Sequence, residues 1–411
     1  MKILFVHQNF PGQFKFLGPA LVKEGHKVFA LAIREKTVKW QGIDVISYQT
    51  DRSTSKEIHP WISDFETKVI RGEATYRKLL ELKDKGLKPD VIIAHPGWGE
   101  SLFVKNIWPS VKLGIYCEFH YGAYGLDTGF DPEFPSVEDA GCRMQMRNLN
   151  NLIHSSIADS AISPTKFQAD TYPASFREKI EVIHDGIDTK ALCPDPQASI
   201  RLSNGRVLDK DSEVVSFVNR NLEPYRGYHI FMRALPDLLA ARPELNILIV
   251  GGNDVSYGSS PKEGSWKEHF LREVQDKYPK ADWGRVHFLG HLPYDQYLSV
   301  LKVAKVHVYL TYPFVLSWSL LEAMSVGTAI VASDTGPVRD VIKDRLTGRM
   351  VDFFETQEIA KVTEELLANK EERDELANKA REFVIENFDL SSVCLPKQLE
   401  WVHTLARREP S

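Results

Sequence analysis

Residues 306–336 read VHVYLTYPFVLSWSLLEAMSVGTAIVASDTG, and the fold follows from this stretch. Val306 to Leu310 is a short β-branched run that predicts a buried strand. Thr311 to Leu316 is irregular and broken by Pro313. Ser317 is a good N-cap, and Trp318 to Val326 then carries apolar residues at helical spacing. Gly327 stands where a helix end wants positive φ, and Thr328 to Ala332 predicts a second strand. Strand, loop, helix and strand form a right-handed βαβ unit, whose ligands bind at the carboxyl end of the strand. The helix start offers the backbone N–H groups of Ser317, Trp318 and Ser319 as an anion site. Glu322 lies one turn further in, among Leu320, Leu321, Ala323 and Met324. A carboxylate on so apolar a helix needs a partner, either ligand hydroxyls or a nearby Lys or Arg.

The run LLEAMSVGTAIVASDTG resembles the donor-site signature of retaining family-4 glycosyltransferases, two-domain enzymes of the GT-B fold. The resemblance implies that this helix N-terminus holds the diphosphate of a nucleotide-sugar and that Glu322 binds the ribose. The family usually has a second Glu eight residues earlier that contacts the donor sugar. Here that position is Phe314, so the carry-over reaches the nucleotide better than the sugar. Leu316, in the same loop, is included with the donor-binding residues.

Upstream, Val214 to Val218 predicts the strand that opens the second domain, followed by NRNLEPYRG, residues 219–227. Arg220 and Arg226 then precede a helix from His229 to Ala240. Arginine gives bidentate, charge-assisted bonds to phosphate oxygens, although an arginine pair also serves in surface salt bridges. The resemblance implies the phosphate role for both, with Arg226 standing in for a family Lys. Asn246 to Val250 is a buried strand ending in Gly251-Gly252-Asn253, a loop that allows close backbone approach. Val286 to Leu289 leads to Gly290-His291-Leu292-Pro293, where the family meets the nucleotide base through backbone. Beyond residue 336 we expect a helix to Lys343 and helices from Glu358 to Asn387.

The amino-terminal half repeats the logic. Lys2 to Val6 predicts a strand, His7 to Gln13 its carboxyl-end loop, and Phe14 to Glu24 a helix. In the family a loop glycine near the donor phosphates occupies the place of Gly12. There is no GxGxxG, so a nicotinamide or flavin site is not supported. Asp90 to Ala94 ends in His95-Pro-Gly-Trp98-Gly-Glu100, and Leu113 to Cys117 ends in Glu118-Phe-His120-Tyr121. Two His-bearing segments therefore leave the same face of a parallel sheet, which favours a site there. By resemblance His120 lies near the reacting anomeric centre and His95 lines the acceptor side, with Trp98, Glu118 and Asp127. The run CEFHYGAYGLDTGFDPEFP resembles a family-4 subgroup loop in which Asp127, Asp131 and Glu133 either bind acceptor hydroxyls or cap turns. Ile157 to Ser163 predicts a further strand, and the helix after it begins at Pro164.

At 411 residues the chain suits two domains, and 43% hydrophobic with 26% charged residues are ordinary globular values. A net charge of −5 gives no reason to expect nucleic acid as a partner. Four scattered cysteines without CxxC spacing read as reduced cytosolic thiols. No run approaches the length of a membrane span. Lys2, Lys15, Lys23, Lys27, Arg34, Lys36 and Lys39 form a solvated face or one resting on anionic lipid, so the expected location is cytoplasmic with peripheral membrane contact as an alternative. Asp209-Lys-Asp211 precedes a strand and reads as a charged turn. No cluster has zinc-ligand spacing, so no metal and no cofactor are expected.

Together these features predict an α/β chain of the GT-B fold: two Rossmann-like, doubly wound domains facing each other across a cleft. The expected domains are residues 1–192 for the acceptor and 213–389 for the nucleotide-sugar, joined by a linker at 193–212. A C-terminal helix, 390–408, is expected to cross back to the first domain. The expected activity is metal-independent, retaining transfer from a nucleotide-sugar, UDP before GDP, to an unidentified hydroxyl acceptor in polysaccharide or glycolipid assembly. A sugar-nucleotide 2-epimerase and a catalytically silent nucleotide-sugar binder are the alternatives.

Overall fold

The computed structural model describes residues 1–408 and divides into two compact units, 1–186 with 390–408 and 187–389. In the first unit the strands are β1 Lys2–Val6, β2 Lys27–Ile33, β3 Val38–Trp40, β4 Ile43–Tyr48, β5 Val91–Ala94, β6 Lys112–Tyr116, β7 Ser160–Ser163 and β8 Ile180–Val182. They form one sheet in the order β3-β4-β2-β1-β5-β6-β7-β8, parallel except for β3. Ile3 to Val6 and Val91 to Ala94 are fully buried, as continuous apolar strands covered on both faces must be.

The second unit holds β9 Ser199–Arg201, β10 Val207–Asp209, β11 Val214–Asn221, β12 Asn246–Gly252, β13 Val286–Gly290, β14 Val306–Tyr309, β15 Ala329–Ser333 and β16 Arg349–Val351. Six of them build an all-parallel sheet, β13-β12-β11-β14-β15-β16. In each sheet the winding reverses beside the first-formed strand, between β1 and β5 and between β11 and β14. At such a reversal the connections from neighbouring strands run to opposite faces, which makes the carboxyl ends of those strands the expected ligand position.

Residues 193–212, expected as a linker, carry the antiparallel hairpin β9–β10 instead. Leu202 and Leu208 are buried in the core of the second unit, so the hairpin has its own apolar anchor despite its polar sequence. The passage between units falls at Gly186–Ile187. Other boundaries shift as well. The helix expected from Phe14 is a single 3-10 turn, Gly12–Phe14, and a helix over Leu17–Lys23. Residue 157 ends a helix, Leu149–Ile157, rather than opening the strand. The turn after β15 is helical only over Gly336–Arg339.

Beyond Asp389 a π turn, Leu390–Cys394, leads into the helix Leu395–Arg407, which belongs to the first unit. Trp401, Val402 and Leu405 are buried in that unit's core. The Trp401 indole donates to Ser160 Oγ at 2.9 Å. A Cβ on Gly114 would sit 2.6 Å from the Trp401 ring, so β6 needs glycine there. Among the described residues no helix is long and apolar enough to cross a membrane.

Candidate functional site

In the second unit the residues singled out from the sequence gather at the carboxyl edge of one sheet. Arg220 is the penultimate residue of β11, Gly252 closes β12, His291 follows β13, and the loop 310–317 follows β14. Arg220 is exposed and makes no ion pair among the described residues. Gly252 is required by its surroundings: a Cβ there would meet His291 Nε2 at 2.2 Å and Asn221 Oδ1 at 2.5 Å. Asn253 and His291 are exposed, while Leu292 packs on the core.

Ser317 caps the helix Trp318–Ser325 as expected, but the cap changes the anion site. Its own amide donates to the Tyr309 hydroxyl at 2.9 Å, and its Oγ accepts from the Ser319 amide at 3.3 Å. Two of the three amides expected for a phosphate are thus engaged, and an anion competes with Ser317 Oγ for the Ser319 amide. The Ser317 and Ser319 hydroxyls, 3.0 Å apart, add donors at the same point. Trp318 leaves 46% of its surface exposed beside them.

Arg226 differs from expectation. It is 6% exposed, and its guanidinium donates to Thr311 Oγ1 and to the Val315 carbonyl, both at 2.9 Å. It also lies 5.2 Å from the Tyr257 ring centre. Burial makes it a brace for the loop 311–315, contributing field to the site rather than a free fork. Phe314 is buried with its ring edge-on to Tyr257 at 4.9 Å and Tyr225 at 5.7 Å. Where the family places a sugar-contacting Glu, this chain has an aromatic cluster. Leu316 is a core residue.

Among the described residues Glu322 has neither a Lys nor an Arg partner. Tyr294 donates to its Oε1 at 2.7 Å and Tyr297 donates to its Oε2. Sequence inspection missed both tyrosines, although their i, i+3 spacing puts them on one helix face. Glu223, also missed, is buried, and its carboxylate accepts from the Ser256 and Tyr257 amides at 2.7 and 3.1 Å. Burial holds its pKa above the ordinary value, against those two hydrogen bonds and the Arg226 and Arg220 charges.

In the first unit β1, β5 and β6 deliver a second cluster. His95 is fully buried, stacked on Tyr116 at 5.3 Å and tilted against Trp98 at 4.6 Å. Its Nδ1 accepts from the Gly97 amide, and its buried Nε2 has no hydrogen-bond partner among the described residues, with Glu118 Oε2 4.0 Å away. Burial drives its pKa well below 6.5, so it is neutral. His7, overlooked in the sequence, stands 5.3 Å from the His95 ring and contacts Gln13 through Nε2. The polar triplet His7-Gln-Asn closing β1 was the available signal, since it repeats the pattern after β5. Gly12, at φ +47°, passes so close to His7 that a Cβ would meet its Nε2 at 2.3 Å. His120 is half-buried against Tyr172, and burial lowers its pKa. Asp127 is buried, and Asp131 caps a turn by accepting the Glu133 amide.

As for metals, Asp209 of the DxD accepts the Asp211 and Ser212 amides, a charged turn. Within the first unit, Glu24, His26 and His403 bring ligand atoms within 4.8 Å of one another, next to the amino end of β2 and away from the clusters above.

Residues 24–192 match the family model for the glycosyl transferase family 4 group, and residues 201–383 match that for glycosyl transferases group 1. The first stretch is thus similar to the family-4 group and the second to group 1, in a chain of the GT-B fold. Among its relatives, the D-inositol 3-phosphate glycosyltransferase of Mycobacteroides abscessus is 28% identical over 216 residues, 52% of this chain and 45% of that protein. The same enzyme from Segniliparus rotundus is 27% identical over 271 residues, 64% and 57% respectively. The chain thus spans about half the length of the curated relatives it matches. Sucrose-phosphate synthase from Thermosynechococcus elongatus shares its fold at a TM-score of 0.72 and 18% identity, covering 99% of this chain and 100% of that one. Anabaena HepE, solved with UDP and glucose, does so at 0.65 and 16%, covering 98% and 99%.

Proposed function

We propose that this chain is a retaining glycosyltransferase that takes a nucleoside-diphosphate sugar, a UDP-sugar first, on its second unit and a hydroxyl acceptor on its first. The observation that carries this is the convergence of Arg220, Gly252, His291 and the capped helix start at Ser317 on the β11/β14 reversal. Such a position suits a diphosphate flanked by a nucleoside. The solved relative with UDP and glucose supports the choice of base.

In this reading Arg220 and the Ser317–Ser319 donors neutralise the leaving diphosphate, with the Arg226 charge behind the loop, so the step needs no metal. Transfer breaks the bond from the anomeric carbon to the diphosphate oxygen and forms one to the acceptor oxygen, whose proton leaves with the diphosphate. His120 orients groups near the anomeric carbon, while neutral His95, with Trp98 and Glu118, lines the acceptor side. The cluster at Phe314 favours one second reading, a silent nucleotide-sugar binder.

A thermal-shift screen against UDP, GDP, ADP and their sugars tests the site, because a ligand of the folded state raises the melting temperature. Release of nucleoside diphosphate with acceptor present, and an α-linked product from an α-linked donor, supports transfer with retention. Binding without release in an acceptor screen supports the silent reading, and no shift with any nucleotide sinks both.

A further inference from the structure

Glu322 is held on both sides of its carboxylate. Tyr294, the first residue of the helix Tyr294–Val303, donates to Oε1, and Tyr297, one turn on, donates to Oε2. The two rings lie 5.7 Å apart. Tyr297 packs against the core, whereas Tyr294 is 53% exposed, so the assembly is anchored on one side and reachable from solvent on the other. Burial and the Glu322 charge both raise the phenol pKa values, which keeps them donors.

Each carboxylate oxygen has two acceptor sites, and one on each is taken by a phenol. What remains is acceptor capacity on each of the two neighbouring oxygens. A group that can only accept, in that arrangement, matches two adjacent hydroxyls. Its place in the chain sets which hydroxyls. Glu322 is one turn from the Ser317–Ser319 donors, and Tyr294 follows His291 by three residues and Leu292 by two. Phosphate donors, carboxylate and the loop after β13 follow one another in the order diphosphate, ribose, base.

We propose that Tyr294 and Tyr297 are positioning residues that aim Glu322 at a vicinal diol, so that the chain selects ribonucleoside over 2′-deoxyribonucleoside diphosphates. This rests on the donor-site reading above and narrows it, since deoxythymidine diphosphate sugars then fall outside the substrate class. A ligand without its 2′-hydroxyl leaves one carboxylate oxygen short of a donor. Hydrogen bonds to charged groups are among the stronger ones, so the expected preference is about tenfold or more.

Calorimetric titration with UDP, 2′-deoxy-UDP, GDP and 2′-deoxy-GDP tests this on the wild type, Tyr294→Phe, Tyr297→Phe and the double variant, with melting temperatures alongside. The wild type should favour the ribonucleotide. Each single variant should compress that preference several-fold, and the double variant should approach Glu322→Gln. Tyr294 is exposed, so Tyr294→Phe should melt with the wild type and remains informative if Tyr297→Phe folds poorly. Variants that weaken both sugars equally, or leave the preference intact, overturn the positioning role. Nucleotide binding without ribose preference also overturns it and leaves the diphosphate reading standing. Absence of any nucleotide binding defeats that reading and the inference with it.

Discussion

Two arginines six residues apart behave differently once folded, and the difference is measurable. Arg220 stands exposed at the end of β11, so Arg220→Ala should leave stability within about 0.5 kcal/mol of wild type. Under the donor-site reading it removes charge-assisted bonds of about 1.5–3 kcal/mol, and UDP binding should weaken about 10- to 100-fold by calorimetry. Arg226→Ala should do the reverse at first: Thr311 Oγ1 and the Val315 carbonyl lose their donor. The expected loss is about 1–3 kcal/mol in urea unfolding, with nucleotide binding falling as the loop 311–315 loosens. Equal stability of the two variants would contradict the brace. The sequence disclosed both arginines and the anion-binding loop, because βαβ units advertise their loops through strand and cap patterns. It did not disclose which guanidinium is buried, since that depends on Tyr257 and Thr311, distant in sequence. Nor did it show that Tyr309 and Ser317 occupy two of the loop's amides.

At the scale of elements, β1, β5, β6, β7 and β11 to β15 were legible as apolar runs ending in polar or glycine-rich loops, whereas the edge strands β3 and β16, and β4 beside β3, were not foreseen. The helix Ser63–Asp84 was not, for its surface is so rich in charge that its apolar face, Ile70 and Leu79 among others, barely shows. The β9–β10 hairpin was likewise disguised by its polar residues and by Pro194 and Pro196 just before it. The helix Leu395–Arg407 did show its apolar spacing, while only resemblance indicated where it would pack. Trp401 makes that packing testable. Trp401→Ala removes a fully buried ring and leaves Ser160 Oγ without its donor, so a loss of about 3–5 kcal/mol is expected in chemical unfolding. A loss below about 1 kcal/mol would mean the helix is not integral to the first unit.

For the whole molecule, buried histidines set an acid limit. His7, His154 and His184 are held by burial at about 4, and His307 at about 3. Each folded value lies below the unfolded one near 6.5, so the neutral form is favoured by folding. Its contribution is complete above about pH 6.5 and declines as pH falls toward 4, by up to about 1.4 kcal/mol per pH unit per histidine. Three of these four lie in the first unit, together with His95, which is lowered further. Hydrogen exchange at pH 5 should therefore show the first unit opening before the second, and the opposite order would refute the assignment. The first unit is also discontinuous, its last helix following the whole of the second. On the ribosome its core therefore stays unfinished while roughly 200 further residues are made, a delay of about 10–40 s at ordinary elongation rates. Through that interval the place of Trp401, Val402 and Leu405 lies open in the nascent chain, a natural station for a chaperone that recognises apolar grooves.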